Sequence, residues 1–118
     1  MKNRSTATEF QTSVTPACWQ REAPSACLRV ELASGEIHLF SYQHFVTASH
    51  QRDDTGGETV LITFSSHELD VKGHGLRELL LSLQDFAVKW LRTAPDRYHT
   101  LPVSADGIVT AIRIAAAE

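Results

Sequence analysis

The chain has 118 residues, of which 42% are hydrophobic and 21% are charged, and this composition is typical of one globular domain with a single core. The net charge is −3, and the 11 Lys and Arg residues are scattered among 14 acidic ones, which argues against a nucleic-acid partner. No apolar run approaches the roughly 20 residues that span a bilayer, and none follows the basic N-terminus as a secretory signal requires. We therefore expect a cytoplasmic domain without a membrane partner.

The cysteine and histidine spacings do not indicate a metal site. Cys18 and Cys27 are too far apart for the paired ligands of a zinc site, and two cysteines do not make a disulfide framework. In the cytoplasm both are predicted to be reduced thiols. The six histidines show no ligand spacing either. We predict no metal and no cofactor.

Residues 1–26 differ from the rest of the chain, because they are mostly polar and show neither helical nor alternating periodicity. We interpret them as a mobile or loosely packed N-terminal tail, followed by a single domain at residues 27–118. Three larger apolar side chains, Phe10, Val14 and Trp19, stand out in this tail. Trp19 is expected to pack on its own domain, and the alternative is that it binds a partner.

The segment "CLRVELASGEIHLF" alternates apolar and polar residues and predicts a β-hairpin. A two-residue turn at Ser34-Gly35 would pair Leu32 with Ile37 and Val30 with Leu39. In this register the inward face carries Leu28, Val30, Leu32, Ile37 and Leu39, while His38 lies on the other face, opposite Glu31.

His38, His44 and His50 are spaced evenly, six residues apart, and would share one face of a continuous strand. The polar segment 41–43 interrupts the apolar alternation and predicts a bend before a third strand, "FVTASHQR". Because the chain bends, we do not expect these histidines to form a metal or catalytic face.

A loop at residues 53–57 leads into a second predicted hairpin. A turn at Ser66-His67 would pair Phe64 with Leu69 and Ile62 with Val71, placing all four apolar residues on one face. His67 would then lie at an exposed tip.

The segment "GHGLRELLLSLQDFAVKWLR" has the strongest periodicity in the chain and predicts one long amphipathic helix. Gly75 is a suitable N-cap, and Pro95 ends the helix. The predicted buried arc consists of Leu76, Leu79, Leu80, Leu83, Phe86, Ala87, Trp90 and Leu91. Leu81 and Val88 form a second, smaller stripe.

The segment "GIVTAIRI" predicts a closing strand with Ile108, Ile112 and Ile114 pointing inward. The element order is therefore β-β-β-β-β-α-β. It predicts an α+β fold, in which a small antiparallel sheet of about five to six strands carries the long helix on one face.

The turn "VKGHGLR" is the best candidate for a ligand site. Backbone N–H groups at Gly73 and Gly75 would face an anion, His74 would act as a switch or acid–base group, and Lys72 and Arg77 would add positive charge. The alternative is that the two glycines only allow the sharp change from strand to helix. We favour this alternative, because strand-to-helix turns need such residues.

Catalytic signatures are missing from the sequence, which has no nucleophile elbow, phosphate-binding loop or paired-histidine helix. Ser65, Ser66 and His67 are adjacent, but neighbours at a turn point in different directions. We predict a non-catalytic protein-interaction or accessory domain. The alternative function is a small anion- or phosphate-binding domain, or a weak enzyme, centred on the Gly-His-Gly turn.

Spare apolar residues predict a contact surface, because one helix covers only one face of a sheet. The residues assigned to this surface are Trp19, Phe40, Val46, Leu81 and Val88. We expect a homodimer, because two-fold pairing is the commonest way to cover such a surface. The alternatives are that the tail covers it or that a different protein does.

Overall fold

The computed structural model describes residues 17–95 and 107–117, which form eight strands and one α-helix. In chain order these elements are β1 (Trp19–Arg21), β2 (Cys27–Glu31), β3 (Ile37–Ser41), a 3₁₀ turn (Tyr42–His44), β4 (Phe45–Arg52), β5 (Glu58–Phe64), β6 (His67–His74), α1 (Arg77–Leu83), β7 (Val88–Arg92) and β8 (Ile108–Ala116). The first sheet has the strand order β1-β7-β2-β3, and the second has the order β4-β5-β6-β8. Strands β2 and β7 are parallel, whereas the other neighbours are antiparallel.

The predicted fold class is wrong. The described chain is mostly sheet, arranged as two four-stranded sheets, and α1 has only seven residues instead of forming one long helix on a small sheet. The helix begins at Arg77 with Leu76 as its N-cap, one residue later than the predicted N-cap Gly75, and Leu79 and Leu83 are buried as expected. The second half of the predicted helix is strand β7, which lies between β1 and β2.

The helix ends because the chain reverses at Phe86. This residue has a left-handed backbone with a φ of 53°, which is uncommon for a bulky side chain. Its N–H donates to the carbonyl of Leu83, and the N–H of Ala87 donates to the carbonyl of Ser82. Val88 then begins β7, where a β-branched side chain is favourable.

The first hairpin has a register that differs by one residue from the predicted one. Its loop contains three residues, Ala33 to Gly35, and Gly35 takes the left-handed conformation with a φ of 97° that such loops require. Arg29 is therefore opposite Leu39, and Leu28 is opposite Phe40.

A one-residue shift moves every side chain of a strand to the other face. Phe40 is therefore buried, and the rings of Phe40 and Phe64 stack with centroids 5.1 Å apart. Ile37 and Leu39, predicted to point inward, are 62% and 67% exposed. The predicted inward positions of Leu28 and Val30 are confirmed.

The second hairpin has its turn at Ser65-Ser66, so Ile62 pairs with Leu69 and Val60 with Val71. The predicted pairing was wrong by two residues. An even shift preserves the faces, and these apolar side chains are buried as predicted. His67 is not at the tip, because it begins β6 and its ring lies 5.6 Å from that of Phe40.

The two sheets and α1 share one core. Its largest fully buried side chains are Phe64, Leu28, Ile62, Leu69, Leu76, Leu79, Leu83 and Leu91. In β8, Ile108 is buried while Ile112 and Ile114 pack partly buried against the core, which confirms their inward direction.

Part of the segment interpreted as a tail contributes to the first sheet. Cys18 is buried, and β1 pairs with β7 as the outermost strand on that side of the first sheet. Phe10 and Val14 lie outside the described residues.

We predict that Leu83→Ala lowers the free energy of unfolding by about 2–5 kcal/mol, because a fully buried leucine leaves a cavity when truncated. Leu81→Ala is the matched control, since Leu81 lies in the same helix but is partly exposed. Chemical denaturation measures both variants. Equal losses in the two variants would contradict the assigned helix face.

Candidate functional site

The carboxylate of Glu58, at the start of β5, is buried where β4, β5 and the start of α1 meet. Its Oε2 accepts a hydrogen bond from the Gly75 N–H at 2.8 Å, and its Oε1 accepts one from the Leu76 N–H at 2.9 Å. Nε2 of His50 lies 2.7 Å from Oε1 and donates to it, because a carboxylate only accepts. Three donors, one on β4 and two in the turn between β6 and α1, therefore hold one buried acid.

Burial and hydrogen bonding act on the pKa of Glu58 in opposite directions. Burial raises the pKa, because it penalises the charged form. The hydrogen bonds from His50 and from the Leu76 and Gly75 N–H groups lower it and outweigh burial, so the pKa lies below its ordinary value of 4.5. Glu58 is consequently an ionised, fully bonded carboxylate at neutral pH.

This arrangement bears directly on the predicted anion site. The N–H of Gly75 points to an anion, as the sequence suggested, but that anion is the chain's own Glu58. An external anion at this turn would have to replace a carboxylate that is already bonded. Lys72 and Arg77 are exposed and lie near other acids: the Nζ of Lys72 is 3.5 Å from Asp70, and a guanidinium nitrogen of Arg77 is 3.9 Å from Glu78.

The other two residues of the turn have structural surroundings. A Cβ atom on Gly73 would lie 1.8 Å from the carbonyl oxygen of Ile108, so only glycine lets β8 approach β6 here. His74 is half-buried, and its Nδ1 has no hydrogen-bond partner among the described residues. The structure thus gives a packing reason for Gly73. His74 is next in sequence to Gly75, which donates to Glu58, but no hydrogen bond joins the Nδ1 of His74 to that carboxylate.

The evenly spaced histidines are separated by the fold. His38 lies in the first sheet beside Glu36, His44 lies in the 3₁₀ turn, and His50 lies in the second sheet against Glu58. Within residues 17–95 and 107–117, no group of three or more His, Cys, Asp or Glu side chains is placed to hold a metal ion. Among the same residues, no helix is long and apolar enough to cross a membrane.

The adjacent serines and His67 form one contact, between Ser66 Oγ and His67 Nδ1 at 2.8 Å. Ser66 lies in the hairpin turn and His67 begins β6, and no carboxylate of the described residues hydrogen-bonds to His67. A catalytic triad needs a third group that orients the histidine. The contact is therefore no more than a local polar pair.

The five residues assigned to an interaction surface are not brought together. Phe40 and Val88 are buried in the core, and Trp19 is half-buried, with its indole nitrogen beside Gly107. Val46 and Leu81 are 61% and 37% exposed and line one open groove of about 330 Å³ between β4 and α1. The other residues along this groove are Phe45, Thr47, Ala48, Leu80, Leu83 and Gln84.

The sequence interpretation missed a second apolar area, at the outer edge of the first sheet. Ile37 and Leu39 are exposed on β3, beside the ion pair in which Arg29 Nε lies 2.9 Å from Glu31. The sequence signal that could have revealed this face is the glycine at position 35, because a three-residue hairpin loop typically ends in a left-handed residue. Glu58 was also missed, and its sequence context gives no signal of its role.

Comparison with known proteins gives no match, since no family model, no curated protein and no solved structure matches this chain. Any statement about function therefore rests on the geometry of its surfaces.

We predict that Glu58→Gln lowers the free energy of unfolding at neutral pH by about 1–3 kcal/mol, because an amide cannot satisfy all three donors. The pH dependence follows from the lowered pKa. A carboxyl with a lower pKa in the folded state stabilises the fold above its unfolded pKa, and this stabilisation is lost as the pH falls through the folded pKa.

Wild-type stability should therefore fall below pH 4.5, and this part of the fall should be missing in Glu58→Gln. Chemical denaturation at a series of pH values measures both slopes. Asp54→Asn, which changes an acid in the neighbouring exposed loop, is the control that should keep the wild-type slope. Identical slopes in wild type and Glu58→Gln would contradict the assigned role.

Proposed function

We propose that this chain is a non-catalytic protein-interaction domain that forms a homodimer through the outer edge of β3. The observation that carries the proposal is the pair of exposed aliphatic side chains on that edge, Ile37 and Leu39. In this proposal the domain acts in the cytoplasm, where Cys18 and Cys27 remain thiols.

The backbone of β3 supports a strand as the partner. Among the described residues β3 has a strand neighbour on one side only, β2, so its other side offers unpaired N–H and C=O groups. Natural edge strands are commonly protected by lysine, proline or a bulge, and β3 contains none of these. An edge of this kind, with large apolar side chains, is favourable for pairing.

A two-fold axis gives this edge a self-complementary register. Antiparallel pairing with His38 opposite His38 of the second copy places Ile37 of each copy opposite Leu39 of the other. All four exposed aliphatic side chains then form one patch on the outer face. On the other face, Glu36 of one copy lies diagonally beside His38 of the second, a favourable arrangement of charge.

We predict that the wild-type chain is a dimer in solution and that Leu39→Lys makes it monomeric, because the new charge would be buried at the pairing edge. Light scattering after size-exclusion chromatography measures the mass. Val46→Lys is the matched control, since Val46 is equally exposed but lies on β4, in the second sheet. A monomeric wild-type chain, or a dimeric Leu39→Lys variant, would overturn the proposal.

A further inference from the structure

We propose that the dimer formed through β3 binds one zinc ion on its two-fold axis, held by Glu36 and His38 of both copies. The proposal rests on the homodimer proposed above, and it adds a ligand that regulates the same contact. The second copy completes the site, because one chain supplies only two of the four ligands that a structural zinc ion takes. For the same reason, ligand spacing within a single chain predicts no metal.

The backbone of β3 shows which of its residues would pair with the second copy. The N–H of Leu32 donates to the carbonyl of Glu36, at the loop end of the first hairpin. Backbone groups along an antiparallel strand alternate in direction, so His38, two residues further on, also bonds to β2. The N–H and C=O groups of Ile37 and Leu39 therefore point to the free edge.

This alternation determines what meets at the two-fold axis. In the proposed register, Ile37 of each copy exchanges backbone hydrogen bonds with Leu39 of the other, and His38 lies opposite His38 of the second copy. Opposite residues that do not bond to each other through the backbone have the closer side chains, with Cβ atoms roughly 4.5–5.5 Å apart. The two imidazoles would thus be close enough to bind one ion.

Within each copy, the second ligand already lies beside the histidine. Glu36 and His38 are two residues apart on the strand and share a face. The Nε2 of His38 lies 3.1 Å from Oε1 of Glu36. Two ligand atoms of a tetrahedral zinc site, each about 2.1 Å from the metal, lie about 3.4 Å apart. A small movement of these side chains, which are 38% and 66% exposed, would therefore let one ion bind both atoms.

The charge at the axis favours a divalent cation. The two Glu36 carboxylates bring two negative charges there, and one zinc ion neutralises both. Arg29 is the only Lys or Arg residue of β2 and β3. It lies on the opposite face of the sheet from His38, in an ion pair of 2.9 Å with Glu31. Imidazole and carboxylate groups are both usual zinc ligands, so the proposed set is chemically suitable.

Sedimentation velocity of the full chain tests the site, with zinc chloride as the probe and EDTA as the metal-free reference. An ion that binds only the dimer shifts the association equilibrium toward the dimer. We expect zinc to lower the dimer dissociation constant by roughly tenfold or more and to bind at about one ion per two chains. Elemental analysis of the dialysed dimer measures this ratio.

Glu36→Gln and His38→Gln should each abolish the effect of zinc, because a neutral amide is not a usual zinc ligand. Each variant is compared with itself in EDTA, so a change in its metal-free pairing does not affect the comparison. His44→Gln is the matched control and should respond like wild type, since His44 is exposed in the 3₁₀ turn after β3. Every variant retains the exposed thiol of Cys27, so zinc bound there cannot explain a loss.

The outcomes separate the zinc site from the dimer itself. If the chain dimerises in EDTA and zinc leaves the dissociation constant unchanged, the zinc site is overturned and the dimer is not. A chain that is monomeric both in EDTA and in zinc would overturn both proposals. An unchanged zinc response in His38→Gln would overturn the assigned ligands. Equally tight zinc binding by a monomeric Leu39→Lys variant would show that one copy suffices, and it would overturn the shared site.

Discussion

The buried carboxylate of Glu58 is the interaction on which the position of α1 depends. The first N–H groups of a helix have no partner within the helix, and a buried carboxylate is costly unless it is hydrogen-bonded. Each group satisfies the other, because the Gly75 and Leu76 N–H groups donate to the carboxylate that His50 also holds. The contact joins β4, β5 and the start of α1. It thereby sets where the helix lies along β4, and with it the groove that contains Val46 and Leu81.

The helix shows where the sequence was sufficient and where it was not. Residues 77–83 repeat leucine at helical spacing, and they form α1. From Phe86 to Leu91 the same spacing continued, but a short apolar run is equally compatible with a strand. The outcome was decided by contacts distant in sequence: β7 pairs with β1 and β2, and the Tyr42 hydroxyl donates to the carbonyl of Val88. Periodicity within the segment contains no information about these partners.

The candidate sites were predictable to different extents. Backbone donors at Gly75 were predicted from the glycine-rich turn, but their partner Glu58 lies 17 residues earlier, and only the fold brings the two together. Val46 was assigned to the sheet face that the helix leaves open, and it is 61% exposed. Ile37 and Leu39 were assigned to the core because the loop was counted as two residues, and one residue of register exchanges the two faces. Local turn chemistry at Gly35, rather than hydrophobicity, determined that surface.

The connection between the two sheets separates the proposed dimer edge from the groove between β4 and α1. The 3₁₀ turn at residues 42–44 passes the chain from β3 in the first sheet to β4 in the second. Pairing through β3 would therefore join the first sheets of two copies. The groove that contains Val46 and Leu81 lies against the second sheet, so the proposed pairing does not use it.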